Sequence, residues 1–328
     1  MTVQAAVSSQ SGGTKSPGAL RTVSHQVGLR TMPRYQLAPG SNTGSACSRR
    51  GPPSATVLPW HVGGSTPGDR AVRGRDRTAP ETAGRHVGRM RHAGCMGTRI
   101  LLVPGFWLGA WAWDEVAEEL RGRGHDVCAL TLPGLDPEDE SRFDATLEQQ
   151  ARAIVEAIDP AEKAVLVAHS GAAVPVYLAT DLVPERIGHA IYVDSAPIPN
   201  GFVLRDDLGS AREFELPSWA ELEAEGNSLT GLDDIALARF REKAVSQPAR
   251  IAGSPLRMSA STARLDVPTT VVCTSIAAEL VRQLSTSGEA PIFSELPRVA
   301  ADLMDLPTGH WPMWSEPKRL AEVIHSVA

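Results

Sequence analysis

From residue 98 onward, short apolar runs alternate with segments of helical periodicity, and this alternation constrains the fold more than any other feature. Residues 98–104 form a continuous apolar run, as expected of a strand that is buried on both faces. Strands that alternate with helices form a mostly parallel sheet that helices cover on both sides. The sequence therefore predicts an α/β fold with about six strands. The predicted strands are residues 98–104, 126–132, 164–168, 189–193, 269–274 and 299–306, and the main predicted helices are 113–122, 147–158, 172–182, 277–284 and 317–327.

The alternation is interrupted at about residues 197–266. Within that stretch, residues 219–225 and 232–245 have helical spacing, and we predict no strand there. An insertion that follows a strand of a parallel sheet lies at the carboxyl ends of the strands, where ligands bind in open α/β folds. The sequence therefore predicts a small helical lid over a binding site.

The first 95 residues differ in composition from the rest of the chain. Residues 1–95 hold 13 Lys and Arg against 3 Asp and Glu, whereas the remaining residues hold 19 against 35. Because this stretch is rich in Gly, Ser, Pro and Arg and lacks periodicity, we predict a disordered basic tail. We favour the interpretation that translation begins at Met96 and that residues 96–328 form the folded domain. A transit peptide is the second interpretation, and a basic arm for nucleic acid is the third.

Composition argues against several classes of protein. The chain is 42% apolar and 21% charged, and it has no apolar run of the roughly 18 residues that span a bilayer. Its four cysteines lack CxxC spacing, and Cys128 and Cys273 lie in strand-like runs. We therefore expect a reducing, cytoplasmic compartment, no disulfide framework and no cysteine-based metal site. We expect a small-molecule substrate as the partner of the protein, and neither nucleic acid nor a membrane.

A lone serine follows the third predicted strand. The stretch Ala168-His169-Ser170-Gly171-Ala172 is a variant of the nucleophile elbow, G-x-S-x-G, with alanine in place of both outer glycines. This tight turn requires small outer residues, and it exposes the serine Oγ next to the first amides of the following helix. The alternative is that Ser170 only caps that helix. The motif alone leaves the two interpretations about equal.

A histidine close to the C-terminus is a candidate general base. His310 lies in the stretch LPTGHWPMWS, between the last predicted strand and the last predicted helix. On that loop it reaches the carboxyl edge of the sheet, where an imidazole can take the serine proton and return it to a leaving group. The alternative is an exposed loop histidine without function. His169 is a rival, but as part of the elbow it is expected to point away from Ser170.

Two loops resemble those of the α/β-hydrolase superfamily. The stretches PGFWLGAWAW (104–113) and GHWPMWSEPKRL (309–320) are similar to the plant methylesterase and hydroxynitrile lyase group, whose loops read HGxxHGAWxW and GxDHxxMxSxPxxL. The resemblance covers roughly residues 98–328 and is weak in the lid. It implies an α/β-hydrolase fold and an oxyanion hole formed by the backbone amides of Phe106 and Gly171. Pro104 replaces the usual histidine, which changes the support of the loop but not its donor amides.

The acid that would orient His310 departs from the plant pattern. In that group it follows the fifth predicted strand, about where Ile276 stands, and isoleucine cannot orient an imidazole. Asp194, after the fourth predicted strand, resembles the acid of the haloalkane dehalogenases and other members that place it there. The order serine, aspartate, histidine is then the one that the fold requires. A strand-end cap is the alternative role for Asp194, and Glu279 is the fallback acid.

Together these features predict a serine hydrolase of carboxylesterase type, with Ser170, Asp194 and His310 as a catalytic triad and an acyl-enzyme intermediate. This reaction implies neither a metal nor a cofactor. The serine argues against dehalogenases and epoxide hydrolases of this fold, which use an aspartate at the elbow. Hydroxynitrile lyases of the plant group use a lid lysine, and Lys243, the only lysine between residues 197 and 266, has a surface pattern.

The predicted substrate is a small, mainly apolar ester. Trp107 and Trp311, together with Phe106, are predicted to line an apolar pocket, with core packing as the alternative for both tryptophans. The competing interpretation of the whole chain is a small-molecule binding protein or receptor with little turnover, because a fold does not fix a function.

Overall fold

The computed structural model describes residues 97–159 and 162–328. The predicted basic tail lies outside the described residues. The strands are β1 (Arg99–Val103), β2 (Asp126–Ala129), β3 (Ala164–His169), β4 (Ile187–Val193), β5 (Glu213–Phe214), β6 (Gln247–Pro248), β7 (Thr269–Cys273) and β8 (Asp302–Asp305). The α-helices are α1 (Asp114–Gly122), α2 (Leu147–Ala157), α3 (Ala173–Leu182), α4 (Trp219–Ala224), α5 (Asp234–Lys243), α6 (Ala249–Ala252), α7 (Ala278–Ser287), α8 (Leu296–Val299), α9 (Pro312–Ser315) and α10 (Pro317–Val327).

Six strands form one parallel sheet in the order β2-β1-β3-β4-β7-β8. Successive side chains of a strand point to opposite faces, so a strand buried on both faces contributes to two cores. In β1, Leu101 and Val103 belong to one core, and Ile100 and Leu102 belong to the other. This arrangement confirms the predicted parallel sheet of about six strands.

Helices cover both faces of the sheet. On one side lie α2, α3 and α7, whose buried residues include Ile154, Tyr177 and Val281. On the other side lie α1 and α10, through residues such as Leu120 and Ile324. Because all six strands are parallel, their carboxyl ends meet at one edge of the sheet, where ligands bind in open α/β folds.

The last predicted strand, 299–306, is only partly a strand. Its first residue, Val299, ends α8, and the strand β8 begins at Asp302. Between them Ala300 has a φ of 49°, a left-handed conformation that ends the helix and turns the chain into the strand. The apolar residues Leu296 and Val299 are buried on the inner side of the single helical turn α8. Periodicity over so few residues does not distinguish a helix from a strand.

The segment predicted as a lid, about residues 197–266 and called the lid below, contains α4, α5 and α6. The prediction that it holds no strand is wrong, because Glu213–Phe214 pairs antiparallel with Gln247–Pro248. A ladder of two residues carries no periodicity that a sequence can reveal. Backbone hydrogen bonds attach the lid to the loops of the sheet, including one of 2.7 Å from the amide of His310 to the carbonyl of Ser228. None of the described helices has the length and apolar character needed to span a membrane.

Candidate active site

Ser170 stands at the sharp turn between β3 and α3. Its φ of 52° is left-handed, a strained conformation for a residue with a Cβ and one that this kind of elbow imposes on its serine. Ala168 and Ala172, which replace the outer glycines of the motif, are 0% and 2% exposed. Larger side chains at these two positions would have no room, so the structure fits the steric logic of the motif. The serine lines a cavity above the sheet.

The structure brings Ser170, His310 and Asp194 into one hydrogen-bonded chain. The His310 Nε2 atom lies 2.8 Å from the Ser170 Oγ, and the His310 Nδ1 atom lies 2.6 Å from Asp194 Oδ2. A carboxylate only accepts, so Nδ1 carries the proton that it donates to Asp194. Nε2 is then free to accept from the serine hydroxyl. This tautomer is the one in which an imidazole can act as a base toward the serine.

Asp194 follows β4 with a φ of 45° and is held by the loop after β7. Its Oδ1 accepts from the amides of Thr274 and Ser275 at 3.2 and 2.9 Å, and its Oδ2 accepts from the Ser275 hydroxyl at 2.6 Å. Burial by itself would raise the pKa of this carboxyl, but the hydrogen bonds from His310 and Ser275 outweigh burial and hold the pKa below its usual value. Asp194 is therefore ionised at neutral pH.

Sequence reasoning missed the role of Ser275. This residue lies directly before Ile276, in the stretch where the plant pattern would place its acid. Because β4 and β7 are neighbours in the sheet, the loop after one strand reaches the residue that follows the other. The only signal in the sequence was a small hydroxyl residue after that strand, and serine at the end of a strand is too common to indicate a contact with an aspartate.

Glu279, the fallback acid, is not part of the arrangement. It lies on the exposed first turn of α7 and pairs with Arg282 at 2.6 Å and Gln283 at 2.9 Å. Its side chain is 68% exposed. The structure places Asp194, and not Glu279, against His310.

His169, the rival histidine, supports the loop of His310. Its Nε2 atom donates to the backbone carbonyl of His310 at 2.7 Å, so its polar contact is to the backbone and not to Ser170. Complete burial, with a smaller contribution from the nearby His310, lowers the pKa of His169 to about 3. His169 therefore stays neutral under ordinary conditions.

This buried histidine makes the folded chain sensitive to acid. Its pKa falls from 6.5 to about 3 on folding, so below pH 6.5 the unfolded chain binds a proton that the folded chain does not. The stability that is present above pH 6.5 is therefore lost as the pH falls, by up to about 1.4 kcal/mol per unit. His169→Gln keeps a donor for the carbonyl. Between pH 6.5 and 5, we expect the free energy of unfolding of this variant to fall by about 1.5–2 kcal/mol less than that of the unmodified protein. Urea unfolding at both pH values measures this difference, and an equal loss in the two proteins contradicts the assignment.

The loop after β1 lies against the elbow. Phe106 and Gly171 line the same cavity as Ser170, and a Cβ at Gly171 would lie 2.6 Å from the Cε1 atom of Phe106. The phenyl ring therefore occupies the space that a side chain at position 171 would need. The next residue, Trp107, has a φ of 65°, and its indole Nε1 donates to the Phe214 carbonyl of the lid at 3.0 Å. These contacts fix the loop at the serine.

The cavity has a volume of about 280 Å³. Both tryptophans expected in the pocket, Trp107 and Trp311, line it, and Trp311 meets the His310 ring edge to face at 4.8 Å. The Cys273 thiol also lines the cavity, and burial raises its pKa to about 12, so it stays protonated at neutral pH. Residues from the lid and from the segment after β7 complete an apolar lining that the sequence did not reveal, including Ile198, Leu204, Phe214, Ile276, Val281, Ile292 and Phe293.

Nothing in the described part of the chain forms a cluster of three or more metal-binding side chains. The lysine weighed for lyase chemistry, Lys243, lies with its Nζ 5.5 Å from the centre of the Trp111 ring and is not among the residues that line the cavity. The site therefore consists of a serine, an imidazole and a carboxylate beside a small apolar cavity.

Parts of this chain are similar in sequence to known proteins. A family model described as alpha/beta hydrolase family matches residues 100–323. Methylesterase 9 of Arabidopsis thaliana is 36% identical over 135 residues, which is 36% of this chain and 52% of that protein. Esterase PIR7B of Oryza sativa subsp. japonica is 35% identical over 105 residues, which is 30% of this chain and 38% of that protein. The matches thus span about half or less of the length of these curated relatives.

A solved structure gives the same result for the fold. An extracellular alpha/beta-hydrolase from a Paenibacillus species has a TM-score of 0.55 and 20% identity, over 70% of this chain and 99% of that one. The family model covers most of the described residues, and it includes the elbow, Asp194 and His310. The parallel sheet, the strained serine turn and this match lead to one conclusion: the chain belongs to the alpha/beta hydrolase family.

Proposed function

We propose that the protein is a serine hydrolase of carboxylesterase type that cleaves a small, mainly apolar ester through an acyl-enzyme. The observation that carries this proposal is the chain of hydrogen bonds from Ser170 through His310 to Asp194, at 2.8 and 2.6 Å. Esterase names among the relatives at 36% and 35% identity support the same reaction class.

The proposed reaction has two halves. In the first, His310 Nε2 takes the hydroxyl proton as Ser170 Oγ attacks the ester carbonyl, and the same proton then passes to the departing alcohol. In the second, His310 takes a proton from water as the resulting hydroxide attacks the acyl-serine. The same proton then passes to the departing Ser170 oxygen, which releases the acid and restores the free serine. Asp194 stays ionised throughout and stabilises the imidazolium that forms in each half. The backbone amides of Phe106 and Gly171 would stabilise the oxyanion.

The cavity supports the proposed substrate class. At about 280 Å³ it lies at the small end of ligand pockets, and most of its lining is aliphatic or aromatic. A cytoplasmic location is part of the proposal, because Cys128 and Cys273 are both free thiols.

The test is hydrolysis of short p-nitrophenyl esters by the full-length protein. We expect many turnovers per protein molecule, with a rapid first release of p-nitrophenol if deacylation is slower than acylation. A protein that binds these esters but releases no more than one p-nitrophenol per chain would instead be a binding protein or receptor on the same fold.

The oxyanion hole gives a separate prediction at Phe106. Its amide is the proposed donor, so Phe106→Pro should lower kcat by about 10²–10³, the usual cost of losing one donor. Phe106→Ala keeps the amide and should retain much of the activity, although it removes the ring that packs on Gly171. Steady-state kinetics on one ester compares the two variants. Equal and mild effects would place the oxyanion hole elsewhere.

A further inference from the structure

We infer that Arg205, Asp207 and Glu225 form a charge filter that makes the cavity select uncharged esters and reject those that carry a carboxylate. This inference rests on the proposed function for its substrate class. It concerns the lid and not the triad, because Arg205 and Glu225 both line the cavity from the lid.

The guanidinium of Arg205 is engaged at every nitrogen. Its Nε and one terminal nitrogen donate to the two carboxylate oxygens of Asp207, each at 2.8 Å, and the other terminal nitrogen donates to Glu225 at 3.3 Å. One face of the guanidinium lies 4.1 Å above the centre of the Phe214 ring. The Arg205 side chain is 18% exposed, whereas those of Asp207 and Glu225 are 59% and 35% exposed, so Glu225 is the better shielded of the two carboxylates. A substrate carboxylate would have to displace one of these partners to bind the cation.

The charges around the cavity do not favour an anion. Among the described residues that line it, Arg205 carries the one permanent positive charge, while Asp194 and Glu225 are both carboxylates. Asp207 lies outside the lining and is more exposed, and its two bonds to the same guanidinium offset the charge of Arg205. In a cavity with an apolar lining, such charges act over longer distances than they do in water. A substrate carboxylate would therefore enter against the local negative potential and without a cationic partner of its own.

The same filter acts on the product. Hydrolysis of a neutral ester yields an alcohol and an acid, and the acid loses its proton to become a carboxylate. The potential that opposes entry of an anionic ester also opposes retention of this carboxylate. We therefore expect weak inhibition by the acid product compared with a neutral amide of the same shape.

Binding to the inactive Ser170→Ala protein tests the filter without turnover. The two ligands are methyl 4-carbamoylbenzoate and monomethyl terephthalate, which have nearly the same shape but differ by one negative charge. Trp107 and Trp311 line the cavity, so quenching of tryptophan fluorescence can follow binding. We expect the neutral ligand to bind about tenfold more tightly, and the ratio to narrow as salt is raised from 0.05 to about 0.5 M.

Two further variants of the Ser170→Ala protein assign the effect. Glu225→Gln removes one carboxylate from the lining, and we expect the preference for the neutral ligand to fall by about threefold, a factor that reflects the partial exposure of the pair. Glu223→Gln is the matched control, because this residue lies exposed on α4 and does not line the cavity. It should leave the ratio unchanged.

The filter is overturned if the two ligands bind equally, if the carboxylate binds more tightly, or if the neutral ligand does not bind. It is also overturned if Glu225→Gln leaves the ratio of the two affinities unchanged. The esterase proposal stands or falls separately, on turnover of p-nitrophenyl esters by the unmodified protein. An active esterase that binds both ligands equally refutes the filter alone. A protein that prefers the neutral ligand but hydrolyses nothing refutes the esterase alone.

Discussion

Replacing Ser170 with alanine is expected to abolish ester hydrolysis, with a fall in kcat of about 10⁶, as found for the serine of a comparable triad. The reason is that the serine Oγ is the atom that the His310 imidazole contacts, at 2.8 Å. The Cys273 thiol, which also lines the cavity, is held protonated by its burial. Rates for the variant and the unmodified protein on one p-nitrophenyl ester measure the effect.

The control for this change is Ser210→Ala, at an exposed serine of the lid. It should keep full activity, and circular dichroism should show that both variants are folded. If Ser170→Ala retained more than a small fraction of the activity, the nucleophile would be another group and the proposed mechanism would be wrong.

Asp194→Asn is expected to lower kcat by about 10⁴, the cost of this change in a well-studied triad. An amide group can donate to Nδ1, which favours the tautomer with its proton on Nε2, and that tautomer cannot accept from Ser170. The amide also lacks the negative charge that stabilises the imidazolium. Because the side chain keeps its shape, we expect KM to change much less than kcat. Steady-state kinetics at several ester concentrations separates the two.

Glu279→Gln is the matched control for the acid. Its carboxylate pairs with Arg282 on the exposed surface of α7, and we expect no effect on kcat. A large effect there, together with a small one at Asp194, would assign the acid to the segment after β7. If neither substitution mattered, Ser170 and His310 would act as a dyad, or the protein would not be a hydrolase.

The features that the sequence predicted well are those that depend on local patterns. Continuous apolar runs predicted strands buried on both faces, and β1 has this property through Ile100, Leu101, Leu102 and Val103. One prediction about distant residues also followed, because the topology of a parallel sheet is regular. The carboxyl ends of parallel strands share an edge, so Ser170 after β3 and Asp194 after β4 were expected on the same side, and the structure places both against His310.

The features that the sequence did not predict depend on pairings between distant segments. The two-residue ladder of Glu213–Phe214 with Gln247–Pro248 joins residues more than thirty positions apart and has no periodicity of its own. Ser275 reaches Asp194 only because β7 lies beside β4 in the sheet. The Arg205–Glu225 pair closes across twenty residues of an irregular lid. In each case the contact follows from the fold, and no local propensity encodes it.

The site of acylation decides whether Ser170 is the nucleophile. The full-length protein is mixed with p-nitrophenyl butyrate, quenched in acid within the first turnover and digested with trypsin, and the peptides are examined by mass spectrometry. Trypsin should release residues 164–186 as one peptide that contains Ser170. We expect this peptide to gain the mass of one acyl group, fragmentation to place the group on Ser170, and Ser170→Ala to form no adduct. An acyl group on another residue, or rapid hydrolysis by a protein that never forms the adduct, would contradict it.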